Sequence, residues 1–238
     1  MIFLCVREGK LNYLVLIRYS VDSKTIDRFI KRHSPIFNVV IVDNSPEFDL
    51  SCDIAGTIKG ENHFREFSAI QKALNSIDTT GESKVFVCND TIFTNRCSWK
   101  LDFLVRKLKA VNVNYPTIFG FLDESFEFLS DNWFLRNGFH IRTDIFALNL
   151  NGVNMFKEIM NNDFEKMVAS DAQFNEISRD YMARYQQLKS GQLKEIAIFI
   201  ELYISSVFFK EGFIYDARDS NFKLRQSFHR IIQRTLIP

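Results

Sequence analysis

Apolar residues come in two rhythms along this chain. Asn38-Val39-Val40-Ile41-Val42 and Lys84-Val85-Phe86-Val87-Cys88 are short, continuous runs rich in β-branched residues. Each stops abruptly at small acceptors and a carboxylate: Asp43-Asn44-Ser45-Pro46 after the first, Asn89-Asp90-Thr91 after the second. An unbroken apolar run predicts a strand covered on both faces, the condition of a parallel sheet. Phe67, Ile70, Leu74 and Ile77 instead recur at the helical period and predict a helix over Phe64 to Ile77. On the same grounds Leu11 to Tyr19 predicts a strand, Ser23 to His33 a helix capped by Ser23, and Phe37 to Val42 a strand. Asp53 to Asn62, with Gly56 and Gly60, predicts a short strand with loops. The order β-α-β-loop-α-β predicts an α/β fold, a mostly parallel sheet flanked by helices with right-handed crossovers.

Further on, Ser98 to Ala110 predicts a helix and Thr117 to Leu122 a strand. Trp133 to Leu150 predicts another strand, with polar breaks at Asn137-Gly138 and beyond Asn149. Helices are then expected over Val153 to Met160, Asp171 to Tyr185 and Glu195 to Phe209. The division drawn from this is a core over 1–152 and a helical portion over 153–238, together one structural unit.

Composition narrows the classes. At 238 residues the chain can bury a full core. Its 25 Phe fit aromatic packing in that core, or an apolar surface that docks elsewhere. A net charge of +1 gives no global drive toward nucleic acid, and none is expected as a partner. Cys5, Cys52, Cys88 and Cys97 lack zinc-site spacing, so reduced thiols in a cytoplasmic protein are expected. The N-terminus has too short an apolar run for a signal peptide, and no stretch approaches the roughly 20 apolar residues of a membrane span.

Ligands of open α/β sheets bind beyond the carboxyl ends of the strands, so Asp43 and Asp90 should reach one edge. That edge suits the ribose and the metal-bound diphosphate of a nucleotide-activated donor. Asp43, Asn44 and Ser45 can meet ribose hydroxyls or a base N–H, although the same residues are ordinary turn formers. Asp90 can give one ligand to a divalent cation, manganese or magnesium, with Asn89 adding a carbonyl oxygen. Arg65 and Glu66 at a helix start suit a diphosphate, or form a surface ion pair. Glu201 interrupts an apolar run, so burial would move its pKa toward that of a general base; the alternative is a core Glu held by an arginine. Asp144 is a second candidate base or a surface-loop residue, and His140 an acceptor or phosphate contact or a structural histidine. Beyond Asp216, Phe222, Leu224, Phe228 and Ile231 alternate with Arg218, Arg225, Arg230 and Arg234. Such a basic amphipathic segment can lie on an anionic membrane or pack on the domain. No GxGxxG follows the first strand, which counts against a dehydrogenase.

The runs Val39 to Ser45, Gly60-Glu61-Asn62 leading into Arg65 to Ala69, and Val85 to Thr91 resemble those of GT-A-fold glycosyltransferases of bacterial polysaccharide synthesis. A fainter similarity to rhamnan-synthesis and O-antigen transferases falls at Glu201-Leu202-Tyr203-Ile204-Ser205 and Gly212-Phe213. The resemblance implies a GT-A-like, Rossmann-like core that binds a nucleotide-sugar donor. It implies transfer of a hexosyl unit, with inversion, to a growing surface glycan or lipid-linked glycan of O-antigen, capsule or lipopolysaccharide. The work would be cytoplasmic, at the inner face of the membrane. Asp43 would hold the nucleoside, Asp90 the metal, and Glu201 or Asp144 the acceptor proton. Cys88 stands where the family usually has its first metal carboxylate. That departure leaves two alternatives: a catalytically silent glycosyltransferase-like binding subunit, or another Rossmann-type nucleotide enzyme.

Overall fold

Three apolar runs become neighbouring parallel strands. In the computed structural model β1 (Tyr13–Arg18) lies between β2 (Asn38–Asp43) and β4 (Lys84–Asn89), with Val15 level with Val40 on one side and Val87 on the other. The structure describes residues 12–46, 56–61, 63–79, 83–94, 99–108, 114–124, 139–170 and 192–218. β3 (Gly56–Lys59) pairs parallel with β2 at one edge. Beyond β4 come β6 (Phe139–Asn149), β5 (Thr117–Glu124) and β7 (Phe213–Asp216), giving the order β3-β2-β1-β4-β6-β5-β7. Among the described strands β6 alone is antiparallel, to β4 and to β5, while β7 is parallel to β5.

α1 (Ser23–His33) crosses from β1 to β2. Its cap is Asp22 rather than Ser23: Asp22 keeps an extended backbone and its Oδ1 accepts from Thr25 N at 3.0 Å, which leaves Ser23 as the first helical residue. With α3 (Lys100–Leu108) it covers one face of the sheet, through Ile26, Phe29, Ile30, Leu101 and Leu104. The other face carries α2 (Glu66–Ser76), α4 (Leu150–Met160), α5 (Phe164–Ser170) and α6 (Gln192–Glu211). Here the phenylalanines do core work: Phe67, Phe146, Phe156, Phe164, Phe199 and Phe208 are fully buried. Each such side chain contributes about 1.5–3 kcal/mol by leaving water.

The portion after residue 152 is not wholly helical. β7 lies within it and completes the sheet against β5, a placement that α6 dictates by returning the chain to that edge. The expected strand over 133–138, the helix over 171–185 and the basic segment from 219 lie outside the described residues, as do Cys5, Cys52 and Cys97. Among the described residues no helix is long and apolar enough to cross a membrane.

Candidate functional site

The sheet order reverses between β1 and β4, since α1 carries the chain outward on one face and α2 returns it on the other. Such a switch point opens a crevice at the carboxyl ends of the strands. Tyr19 follows β1 there, Asn44 follows β2, and Asp90 follows β4. The Asp90 Oδ2 accepts from the backbone N–H groups of Tyr19 and Ser20, each at 3.0 Å, and so ties the end of β4 to the end of β1. Asn89 is turned to local work: its Oδ1 accepts from Thr91 N at 3.1 Å and Thr91 Oγ1 at 2.6 Å, capping the 3-10 turn Asp90–Phe93.

Asp43 is engaged inside the fold. Register puts it level with Arg18, whose Nη1 donates to Oδ2 at 2.8 Å, while Oδ1 accepts from Ser45 N at 2.9 Å and Ser45 Oγ at 2.5 Å. Both charged side chains are buried, so the pair locks two strand ends in register. The nucleoside contact expected of Asp43 is therefore not open through its carboxylate; Asn44, one residue on and facing the opposite layer, is nearer the crevice. Its amide lies over Gly60, where a Cβ would come within 1.6 Å of Asn44 Oδ1. Only glycine leaves room for it.

The Asn44 amide nitrogen and oxygen and the Tyr19 hydroxyl are buried, and none has a hydrogen-bond partner among the described residues. The Asn44 amide lies close to the hydroxyl without closing a bond. Burial first, and then the charge of Glu66, push the Tyr19 phenol well above its ordinary pKa, so it stays protonated and keeps its donor.

On the far side of the crevice the step from Ile141 to Phe146 in β6 faces the shorter step from Gly120 to Leu122 in β5, and the excess residues form a bulge beside the end of β4. A bulge re-aims side chains. Thr143 turns toward one layer: its Oγ1 donates to Glu66 Oε1 at 3.1 Å, and its backbone N–H donates to Glu201 Oε1 at 3.2 Å. One residue thus brings together two carboxylates from α2 and α6, widely separated in sequence. Asp144 turns toward the other layer, where Lys100 Nζ reaches its Oδ2 at 2.5 Å and Arg142 Nε its Oδ1 at 3.0 Å. Burial alone would raise its pKa; the two cations outweigh that and hold it below the usual carboxylate range. Asp144 is then neither a surface-loop residue nor a good proton acceptor. It is the centre of a clamp between α3 and the bulge. Glu201 is half-buried, and its Oε1 accepts from the Thr143 peptide N–H. His140 is half-buried on β6, opposite Asp123 in the β5 ladder.

Arg65 closes the crevice beside the start of α2. Its backbone has φ 53° and ψ −128°, a left-handed conformation rare for a residue with a Cβ, and strain of this kind costs of order 1–3 kcal/mol. Its half-exposed guanidinium Nε lies 4.0 Å from Glu66 Oε2. Cys88 points into the core, with its thiol raised chiefly by burial, and it cannot replace a carboxylate ligand. Among the described residues no three His, Cys, Asp or Glu side chains form a group that could hold a metal ion.

Of the residues singled out in the sequence, Asn44, Arg65, Glu66, Asp90 and Glu201 border the crevice; Asp43, Ser45, Asn89 and Asp144 support it from behind. Sequence reasoning missed Tyr19 and Thr143. Tyr19 had a readable signal, an aromatic directly after β1 as Asn44 is directly after β2. Thr143 had none, because it acts partly through its backbone. No family model matches the chain, and no curated protein matches it in sequence.

Proposed function

We propose that this chain is a nucleotide-sugar-dependent glycosyltransferase with a GT-A-like fold, adding a sugar to a growing bacterial surface glycan. The observation that carries the reading is the buried Tyr19 hydroxyl and Asn44 amide, without a hydrogen-bond partner among the described residues and flanked by Arg65, Glu66 and Glu201. Leaving such groups unpaired costs about 1–3 kcal/mol each, a cost that a ligand able to pair with them removes. The sheet order, with β6 alone antiparallel, supports the GT-A-like form.

In this reading the nucleoside meets Asn44 and Tyr19. Arg65, with the first turn of α2, faces the diphosphate. Asp90 would be the protein ligand to a divalent cation carried on the phosphate oxygens, a set such cations accept, and the cation would neutralise charge on the leaving diphosphate. Glu201 takes the proton from the acceptor hydroxyl as that oxygen bonds to the anomeric carbon. The bond from that carbon to the diphosphate oxygen breaks, its electron pair leaving with the diphosphate. Thr143 and Glu66 hold Glu201 to one side of the crevice.

A second reading is a catalytically silent subunit that binds a glycan or a partner. It is favoured by Cys88 in the core and by the cation-clamped Asp144, which leave Asp90 and Glu201 as the acids for metal and proton. The test is thermal stability against uridine, guanosine, adenosine, cytidine and thymidine diphosphates and their sugar conjugates, each with and without manganese. A ligand at 100 times its dissociation constant stabilises the folded state by about 2.7 kcal/mol. A manganese-dependent shift with one base supports the transferase, and a flat panel refutes it.

A further inference from the structure

We propose that the layer formed by α1 and α3 is a docking surface for an anionic lipid bilayer. The layer is strongly biased in charge. Lys24, Arg28, Lys31 and Arg32 fall at i, i+4, i+7 and i+8 of α1, one exposed stripe, and Arg106 and Lys107 extend it from α3. Against these stand Asp22, Asp27 and Asp102. Arg32 is bound to Asp102 at 2.8 Å, an exposed pair that links the two helices. Lys24, Arg28, Lys31, Arg106 and Lys107 form no ion pair with a carboxylate among the described residues. On the opposite layer Lys72, Lys157 and Lys166 are balanced by Glu61, Glu158, Asp163 and Glu165, so among the described residues the excess lies on the α1/α3 side.

Charge would attract nucleic acid as well, and the apolar features decide between them. Ile36, just past α1, is 58% exposed, and Trp99, at the start of α3, is 49% exposed, so an apolar side chain stands at each end of the layer. Between the helices runs an open groove of about 530 Å³, its apolar lining Phe29, Ile92, Phe93 and Leu101 and its charged lining Arg28 and Arg32 with Asp22 and Asp102. Ile36 offers no ring to a base, Trp99 is of the kind that sits at headgroup level, and an apolar floor beside guanidinium groups suits phosphate headgroups above acyl chains.

Each cation near an anionic surface strengthens partitioning by about fivefold. The experiment is co-sedimentation of the full chain with vesicles of phosphatidylcholine, alone or with phosphatidylserine. Binding should need phosphatidylserine, weaken as salt is raised, and fall by at least about 25-fold in Lys24→Glu/Lys31→Glu, which removes two cations. Arg106→Glu/Lys107→Glu is a second pair of exposed positions, should either variant lower the melting temperature. The inference is overturned if the full chain ignores phosphatidylserine, if it prefers a polyuridine oligonucleotide over vesicles, or if both double variants bind as well as the parent. In the last case, loss of binding on substitution of Arg225, Arg230 and Arg234 would assign the contact to the C-terminal segment instead. Nucleoside diphosphate binding should be the same in all these variants, so the surface and the transferase reading fail separately.

Discussion

Replacing Tyr19 by Phe should strengthen the free protein and weaken its complex, a pair of opposite signs that a structural tyrosine would not give. The hydroxyl is buried without a partner among the described residues, while the ring packs on the larger of the two cores. Phe keeps the ring and removes the unsatisfied group. With a penalty of about 1–3 kcal/mol for such a group, the lower end of the range predicts a gain of about 1 kcal/mol. In a chain of this size that raises Tm by about 2–4 °C. A hydrogen bond to a ligand is worth about 0.5–1.5 kcal/mol, so the same substitution should weaken nucleoside diphosphate binding by about 2- to 12-fold. Scanning fluorimetry with and without ligand reads both. The pH dependence gives a third check. The folded phenol is raised above the unfolded value of about 10, so the folded state keeps a proton that the unfolded chain releases, and stability falls as pH climbs past 10. Tyr13 is raised in the same direction and remains in both proteins, so only the difference between them reports Tyr19. A lower Tm for Tyr19→Phe, or equal ligand shifts in the two proteins, would refute the claim that this hydroxyl waits for a ligand.

Gly60→Ala should push the Asn44 amide out of the crevice, because the new Cβ would lie 1.6 Å from Oδ1 and 3.1 Å from Val42 Cγ1. Calorimetry should record a loss of about 1–3 kcal/mol and weaker ligand binding, whereas Asn44→Ala in the same background should restore the stability but not the binding. Asp144→Asn leaves Lys100 buried without its counter-ion and should cost about 3–5 kcal/mol in urea unfolding at neutral pH. Because the folded carboxyl is depressed, its contribution is present above the unfolded value of about 3.9 and is lost as pH falls through the folded value. The variant's acid limb should accordingly be flatter than the parent's. Asp90→Ala removes the acceptor for two backbone N–H groups and should cost about 1–2 kcal/mol, while abolishing any manganese-dependent part of donor binding. An unchanged manganese response would remove Asp90 from the metal site.

How far the sequence speaks depends on whether a feature is local. β1, β2 and β4 are legible because a strand covered on both faces must be apolar throughout, and the ends of β2 and β4 are legible because the apolar run there gives way to small polar residues and a carboxylate. The direction of β6 is not local: its residues read as a strand either way, and only pairing with both β4 and β5 fixes it as antiparallel. The bulge is hidden for the same reason, since excess residues exist only relative to a partner strand. β7 is hidden because four residues after a long helix carry too little pattern to separate from its end.

The roles of the acids follow from that hidden register. Asp43, Asp90 and Asp144 are equally acidic in sequence, yet β1 puts Arg18 beside the first, backbone N–H groups beside the second, and the bulge puts Lys100 and Arg142 on the third. A carboxylate held by two cations has lost the proton affinity a base needs, which removes Asp144 from that role, whereas Glu201 Oε1 accepts from the Thr143 peptide N–H across the bulge. Thr143 and Asp144 are adjacent in sequence and face opposite layers as neighbours on a strand do, and the bulge sets both beside the end of β4. Removing the excess residues would therefore be expected to unmake the Lys100 clamp and the Glu66–Thr143–Glu201 contact together. Shortening β6 by a single residue within 142–145 should lower stability and ligand affinity in one step, whereas Lys100→Met should lower stability alone.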